Sequence, residues 1–370
     1  MFPLPPLAAA ALIALAALLA TYLPRPPWLV AVLAGARRAP PIGWLMIGAV
    51  LGPLLGVLGG ALLVGLIPVV ACAIGWIAAG AAARLTAPAS PVREPWKAAD
   101  VAWLVAAFAL PAALLYGAMR VLPPAVAPVW KPVWPVLAAL SASVALAAAP
   151  RAGAATALSL LVTAGALLAL FPHARRSDLP PMAMWLGFAL GGTLVCVLVA
   201  TRLGRRPKTR AAATITGLCF AAGIGMASGT SPYLVCGLLG LALAKWGPGY
   251  ERLADELAPT APTVGALLWF AAGALAGGRF PTALIAAVLL ALWPAARHRF
   301  AAAAPASQHT QGLALALSYA LTAERTLGLE QRGALVTAAA LALVLTSLVP
   351  LRHAAPAPLT SPTPRAEVTA

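Results

Sequence analysis

The chain has 370 residues, 62% of them hydrophobic and only 9% charged, and its 25 Lys and Arg against 9 Asp and Glu give a formal net charge of +16. A soluble domain of this length could not bury so much apolar surface. Charged residues normally make up about a quarter of such a domain, far more than in this chain. In a soluble protein the positive charge would suggest nucleic-acid binding. Here the basic residues lie in short loops between apolar segments, so we expect no nucleic-acid partner.

Apolar segments long enough to cross a bilayer as helices recur from end to end of the chain. We therefore predict an all-α polytopic membrane protein with about thirteen transmembrane helices. In chain order, the predicted spans cover 5–23, 41–52, 62–83, 98–119, 132–149, 152–171, 182–202, 211–228, 231–246, 260–277, 281–296, 309–322 and 333–350. Residues 351–370 are rich in Pro, Ala and Thr and are expected to form a disordered cytoplasmic tail.

The basic residues are distributed unevenly between alternate loops. Loops after odd-numbered spans, together with the tail, contain 18 of the 25 Lys and Arg, and loops after even-numbered spans contain 7. Because cytoplasmic loops carry the excess of Lys and Arg, we expect a multi-pass protein of a bacterial-type inner (plasma) membrane, with its N-terminus outside and its C-terminus in the cytoplasm. The densest basic stretch, 202–210, is expected to meet anionic headgroups, which makes membrane lipids expected partners.

Two segments have the composition of interrupted helices. The fifth predicted span opens with Pro132 and Pro135 and has Ser141 and Ser143 near its centre, and the twelfth is short and opens with a polar run that includes Gln311. A pair of interrupted spans in matching positions of two halves is typical of an inverted-repeat transporter, with its site where the spans cross. Simple kinking of ordinary spans by Pro and Gly explains the same composition equally well.

Six segments carry a resemblance to a known family. They are 42–53, which ends in Gly-Pro; 71–80; 229–244, which opens with Gly-Thr-Ser-Pro; the amphipathic stretch 250–257; 268–275; and 312–317. In order and spacing these segments resemble the second, third and ninth spans, the linker that follows, and the tenth and twelfth spans of the monovalent cation/proton antiporter superfamily, whose transmembrane domain is of the sodium/hydrogen exchanger type.

The resemblance implies a transmembrane antiporter-like domain over 1–350, with the inverted-repeat fold of sodium/proton antiporters. A core bundle, roughly 98–171 and 281–350, would contain two discontinuous helices, the fifth and the twelfth, and the remaining spans would form a dimerisation and scaffold domain. The resemblance also implies a homodimer that exchanges a monovalent cation for a proton at an aspartate in the middle of the sixth span.

The main departure from that family is that no carboxylate lies in the middle of any apolar segment. Thr163, with Ser159 as the second choice, stands where the aspartate belongs. The centre of the fifth span, residues 141–143, keeps the hydroxyls of Ser141 and Ser143 but contains neither an acid nor a proline. A hydroxyl can coordinate Na⁺ as a neutral oxygen but cannot release a proton near neutral pH. Hydrogen bonding between helices, worth about 0.6 kcal/mol on average, is the competing explanation of these hydroxyls.

The candidate site is therefore polar and nearly free of charge. The candidate ion or substrate residues are Ser141, Ser143, Ser159, Thr163, Gln311, Ser318 and Glu324. Without the central aspartate, protons would have to pass through Glu324, Asp100 or water.

Three functions agree with these residues. The first is a secondary transporter that resembles monovalent cation (Na⁺ or K⁺):proton antiporters, with a degenerate coupling site. The alternatives are a transport-inactive pseudo-antiporter that acts as a membrane partner or sensor, and a transporter of a neutral or organic solute on the same fold. We expect neither an enzyme nor a cofactor, because the sequence has no His, Asp or Glu cluster at membrane depth. The four cysteines are expected to be buried free thiols, and no metal-ligand spacing is present.

Overall fold

The computed structural model describes residues 42–54, 60–84, 179–203, 207–227, 230–247, 250, 252–276, 306–322 and 328–348, and a few single positions between 109 and 121. The longer of these ranges form helices and the turns that join them. The helices are α1 (Ile42–Ala49), α2 (Gly60–Ala83), α3 (Leu179–Leu203), α4 (Pro207–Ala227), α5 (Pro232–Trp246), α6 (Leu253–Leu257), α7 (Ala261–Ala274), α8 (Ala306–Thr322) and α9 (Leu329–Leu348). A π-helical turn, Val50–Leu54, extends α1, and a 3₁₀ turn, Ala258–Thr260, joins α6 to α7.

Every described helix longer than α6 coincides with a predicted span to within a few residues at each end. The predictions for 5–23, 132–149, 152–171, 281–296 and the tail, and nearly all of 98–119, fall outside the described residues. The count of thirteen spans therefore stays a prediction.

Three stretches of the described chain are long and apolar enough to cross a bilayer: Gly65–Ala83, Thr209–Ala227 and Leu253–Ala274, the last of which joins α6 to α7. Large apolar side chains also point away from the bundle along α3 and α4, where Leu194 and Phe220 are 60% and 54% exposed. Large apolar patches on the outer face of a helix bundle mark contacts with lipid or with other protein surfaces, and beside helices of bilayer length they favour lipid. The chain is a helical membrane protein.

The shorter helix α5 begins where local sequence chemistry predicts a helix start. Ser231 is the N-cap, and its hydroxyl oxygen accepts a hydrogen bond from the backbone N–H of Leu234 at 3.3 Å. Pro232 occupies the first helical position, where a missing N–H costs nothing. The helix ends after Lys245 and Trp246, which are both exposed and lie next to each other, with the ammonium 5.4 Å from the indole ring.

Close helix crossings hold the bundle together at glycines. A Cβ atom added to Gly240 of α5 would lie 2.6 Å from the backbone Cα and carbonyl oxygen of Ala79 in α2. In the same way, a Cβ on Gly48 of α1 would collide with the carbonyl oxygen of Phe270 in α7, and a Cβ on Gly273 would collide with the main chain of α1. Small residues at such crossings allow membrane helices to pack backbone to backbone, which maximises van der Waals contact.

One end of the bundle brings together the ends of three helices and the starts of three others. The indole Nε1 of Trp76, near the end of α2, donates to Thr260 Oγ1 at 2.8 Å, just before α7. The hydroxyl of Tyr250 donates to the carbonyl oxygen of Ala200, near the end of α3, at 3.3 Å. Burial raises the pKa of Tyr250 above its ordinary value.

The starts of α4 and α8 lie at this same end. Arg210 of α4 forms a partly buried salt bridge with Glu256 of α6, with 2.6 Å between Nη2 and Oε1. Gly265 of α7 lies against Thr310 of α8. We call this end the basic end, because five of the described basic residues lie on its helix ends and turns: Arg84, Arg202, Arg210, Lys245 and Arg252.

The expected interruption of the twelfth span does not occur within the described bounds of α8, which is a continuous α-helix from Ala306 to Thr322. Past Gly312 the helix contains no further Gly or Pro, and Ala and Leu, which favour helix, make up most of it. The Thr322 hydroxyl reinforces the last turn by donating to the carbonyl oxygen of Ser318 at 2.8 Å. The fifth span, the other helix expected to be interrupted, lies outside the described residues.

Candidate functional site

Two serine hydroxyls meet where the start of α5 packs against α8. The Oγ atoms of Ser231 and Ser318 are 2.6 Å apart, and both residues are 0% exposed. Either hydroxyl can act as the donor. We call Ser231 and Ser318 the serine pair. They are 87 residues apart in the chain, so only the folded bundle brings them together.

The backbone N–H groups at the start of α5 point at the serine pair. Leu234 N donates to Ser231 Oγ at 3.3 Å, and Tyr233 N lies 3.5 Å from Ser318 Oγ, at the limit of a hydrogen bond. The start of a helix carries a partial positive charge from its aligned peptide dipoles. The serine pair therefore lies in a weakly positive environment that favours an electron-rich oxygen of a solute over a cation.

Two further polar atoms lie in the same buried core. The hydroxyl of Tyr233 and the indole Nε1 of Trp269 have no hydrogen-bond partner among the described residues, and these side chains are 1% and 0% exposed. Both belong to the apolar cluster that α2, α7, α8 and α9 build between them. Because buried polar atoms are nearly always hydrogen-bonded, unpartnered ones mark places where water or a bound solute can supply the missing partner.

With Lys245 and Trp246 placed at one membrane interface, the length of α5 puts the serine pair below the opposite surface. At about 1.5 Å per residue, the 15 residues of α5 extend about 22 Å, whereas the apolar core of a bilayer is about 30 Å thick. Lys and Trp side chains typically mark the interface, as Lys245 and Trp246 do at the other end of α5. With that end at the interface, the start of α5 lies inside the apolar layer.

A second polar location lies at the basic end. Here a cavity of about 420 Å³ opens between α2, α6, α7 and α8. Its wall includes Trp76, Arg84, Leu257, Gly265, Thr310 and Gln311. Gln311 is half-buried, and seven residues separate it from Ser318, so the two lie on one face of α8 about 10 Å apart along its axis.

Of the predicted site residues, the structure describes Gln311 and Ser318. It places Ser318 in the serine pair and Gln311 at the cavity, two turns of α8 away. The other predicted residues fall outside the described residues: Ser141, Ser143, Ser159, Thr163 and Glu324. Among the described residues the only acids are Asp255, Glu256 and Glu330, all of them exposed at helix ends or turns. The candidate site in the described part of the chain thus contains no carboxylate.

Sequence reasoning overlooked Ser231 as a site residue. The Ser231-Pro232 step is a typical helix start, with a side-chain cap followed by proline. A helix start at that position implies a short α5, and hence a start below the membrane surface. That signal was available in the sequence.

The cysteines and metal sites need one correction. Cys72, Cys196, Cys219 and Cys236 are all free thiols, as expected, but only Cys196 and Cys236 are buried, whereas Cys72 is partly buried and Cys219 is exposed. Among the described residues no group of three or more His, Cys, Asp or Glu side chains is arranged to hold a metal ion.

Searches against protein-family models and against curated proteins find no match to this chain.

Proposed function

We propose that this protein is a secondary transporter of the monovalent cation:proton antiporter type, with about thirteen spans, an inverted-repeat fold and a degenerate coupling site. The observation that carries the proposal is the short helix α5, which begins at a fully buried serine against a second helix, α8. Helices that start inside the membrane are typical of such transporters, because their free backbone groups line the solute site.

The helix directions support the topology we propose. The helices α2, α3 and α5 end at the basic end, whereas α4, α7 and α8 begin there. This alternation agrees with the charge count, in which odd-numbered spans end at the more basic side and even-numbered spans begin there. By the same rule the basic end is cytoplasmic. The proposal thus has the N-terminus outside and the C-terminus in the cytoplasm of a bacterial-type inner membrane, with a homodimer as the working unit.

The cation, in this proposal, is held by neutral oxygens of the fifth and sixth spans, Ser141, Ser143 and Thr163. The serine pair is a separate polar contact, since the positive start of α5 opposes a cation there. It couples the scaffold helix α5 to α8, which belongs to the proposed core bundle. Ser318 therefore reports on movement between these two units without being a cation ligand.

A second candidate, a transporter of a neutral or organic solute, is favoured by a specific observation. The polar atoms of the serine pair and the unpartnered ones of the apolar cluster, the Tyr233 hydroxyl and the Trp269 indole, are all uncharged. Such a set binds a solute through hydrogen bonds to hydroxyl or carbonyl oxygens. A transport-inactive pseudo-antiporter is the remaining candidate, and it predicts no flux of any kind.

Flux through purified protein in liposomes separates the three functions. With a pH-sensitive dye inside, we expect a Na⁺ or K⁺ gradient to change the internal pH in wild type. The change should slow in Ser318→Ala and stay normal in Thr201→Ala, whose hydroxyl bonds only within its own helix, to the carbonyl oxygen of Leu198. No pH change with any monovalent cation between pH 6 and 9 would reject antiport. Solute-dependent thermal stabilisation would then favour the neutral-solute transporter, and its absence the pseudo-antiporter.

A further inference from the structure

The cavity at the basic end combines an apolar wall with a cation, Arg84, that has no ion-pair partner in the described part of the chain. The guanidinium of Arg84, at the exposed end of α2, lines the cavity and forms no ion pair with any described residue. By contrast, Arg210 at the same end is bonded to Glu256 at 2.6 Å. Among the described residues Arg84 thus leaves its charge available to an external anion, and it also lines a partly open cavity.

Polar groups in the cavity suit an oxygen-rich ligand. The amide of Gln311 forms no hydrogen bond with the described residues and can donate two hydrogen bonds. The Trp76 indole is already bonded to Thr260, so its ring is held in place as part of the wall. An anion that entered beside Arg84 would meet the Gln311 amide on the opposite helix.

The rest of the wall is apolar and comes from Ile77, Ala81, Leu257 and Pro262. Residues of α6 that carry charge, Asp255 and Glu256, do not line the cavity. A volume of about 420 Å³ lies within the range of small-molecule sites. A ligand for this space therefore needs an anionic head and an apolar body.

We propose that this cavity binds the phosphate group of an anionic amphiphile, with Arg84 paired to the phosphate, Gln311 donating to a neighbouring oxygen and the apolar part of the ligand against Leu257. A planar guanidinium matches phosphate geometry in a bidentate contact. In the proposed topology, on which this inference rests, the cavity lies at the cytoplasmic end of the bundle, near the lipid headgroups. An anionic phospholipid and a soluble phosphate ester share this chemistry.

The test uses the purified full-length chain in neutral detergent and follows its thermal unfolding. Short-chain phosphatidylglycerol, short-chain phosphatidylcholine and inorganic phosphate are titrated separately. We expect phosphatidylglycerol to raise the melting temperature in a saturable manner, with smaller effects of phosphatidylcholine at equal concentration. Inorganic phosphate that matched phosphatidylglycerol would support the phosphate site and assign it to a soluble ester.

Matched variants test whether binding occurs in the cavity. Arg84→Gln should weaken the apparent affinity for phosphatidylglycerol about fivefold or more, which is the effect of one basic residue at a membrane surface. Arg252→Gln removes an exposed charge from the same end, outside the cavity wall, and should leave the affinity unchanged. Ala258→Leu, at an exposed wall position, should reduce the affinity by filling the cavity without removing charge. Equal losses in Arg84→Gln and Arg252→Gln, or no saturable response to any of the three ligands, would overturn the proposal.

Discussion

The contact between Ser231 and Ser318 predicts a measurable coupling between α5 and α8. The perturbation is a double-mutant cycle of Ser231→Ala, Ser318→Ala and the two combined. Each change removes only a hydroxyl, so the helices and their apolar packing stay intact. The cycle isolates the energy of the hydroxyl contact from the other effects of each substitution.

The expected magnitudes follow from the bonds that each residue makes. Ser318→Ala removes the contact with the Ser231 hydroxyl and the weak 3.5 Å contact from the Tyr233 backbone N–H. Hydrogen bonds between membrane helices contribute about 0.6 kcal/mol on average and about 1.7 at most. Ser231→Ala removes the same hydroxyl contact and also the cap on α5, which is worth about 1 kcal/mol. The double variant loses little more than Ser231→Ala alone, because the hydroxyl contact is already absent and only the weak Tyr233 contact remains to be lost. The coupling energy should therefore be about 0.6 to 1.7 kcal/mol.

Unfolding in mixed micelles with increasing SDS, followed by circular dichroism, measures these free energies. Thr201→Ala serves as the control, since its hydroxyl bonds to the carbonyl oxygen of Leu198 in its own helix. It should change stability by a few tenths of a kcal/mol. Additive losses, with coupling below about 0.3 kcal/mol, would refute the geometry of the serine pair.

Three further results are expected of the packing and of the basic end. Gly48→Ala should destabilise the protein by about 1–3 kcal/mol in SDS unfolding, because its Cβ would collide with the main chain of α7. Gly43→Ala is the control: its Cβ would meet open space on the same helix, so it should stabilise the protein by up to about 1 kcal/mol. Glu256→Gln breaks the salt bridge to Arg210 and should cost about 1 kcal/mol or less at low salt, with a smaller loss in 1 M NaCl in the same assay. Burial raises the pKa of Tyr250, so its contribution to stability is complete below pH 10 and is lost as the pH rises through the folded-state pKa. Above pH 10 the melting temperature of Tyr250→Phe should therefore fall less steeply with pH than that of wild type.

The positions of the described helices could be predicted from the sequence, because bilayer-length apolar runs and turn chemistry mark them locally. The Ser231-Pro232 step marks the start of α5, and the Gly-Pro step at 52–53 marks the end of the first described helix. Both signals act within a few residues and do not depend on the rest of the fold. For that reason predicted and observed ends differ by only a few residues.

The packing faces could not be predicted in the same way. A helix that is apolar all round gives no periodic signal to show which face is buried. Gly48 packs against a backbone and Gly43 meets open space, yet both are glycines in one apolar run. The exposure of Cys219 was missed for the same reason. The pairing of Ser231 with Ser318 depends on how α5 and α8 cross, and that crossing is set by tertiary contacts.

The contacts of α5 with α2 differ in kind from its contacts with α8. The crossing of α2 with α5 is closed by backbone atoms at Gly240, so these helices cannot slide without a clash. The polar contacts between α5 and α8 in the described part of the chain are the hydroxyl pair, which costs about 1 kcal/mol to break, and the weak 3.5 Å contact from Tyr233 N to Ser318 Oγ. A buried ion pair in their place would cost about 3–5 kcal/mol when broken, which would slow each movement. In the proposed transporter, the hydroxyl contact therefore adds only a small barrier to movement of α8 against α5. To test this, Ser231→Cys and Ser318→Cys are combined in a chain whose native cysteines are replaced. Oxidation to a disulfide should stop transport and reduction should restore it, whereas unchanged flux in the oxidised protein would show that the two helices stay together.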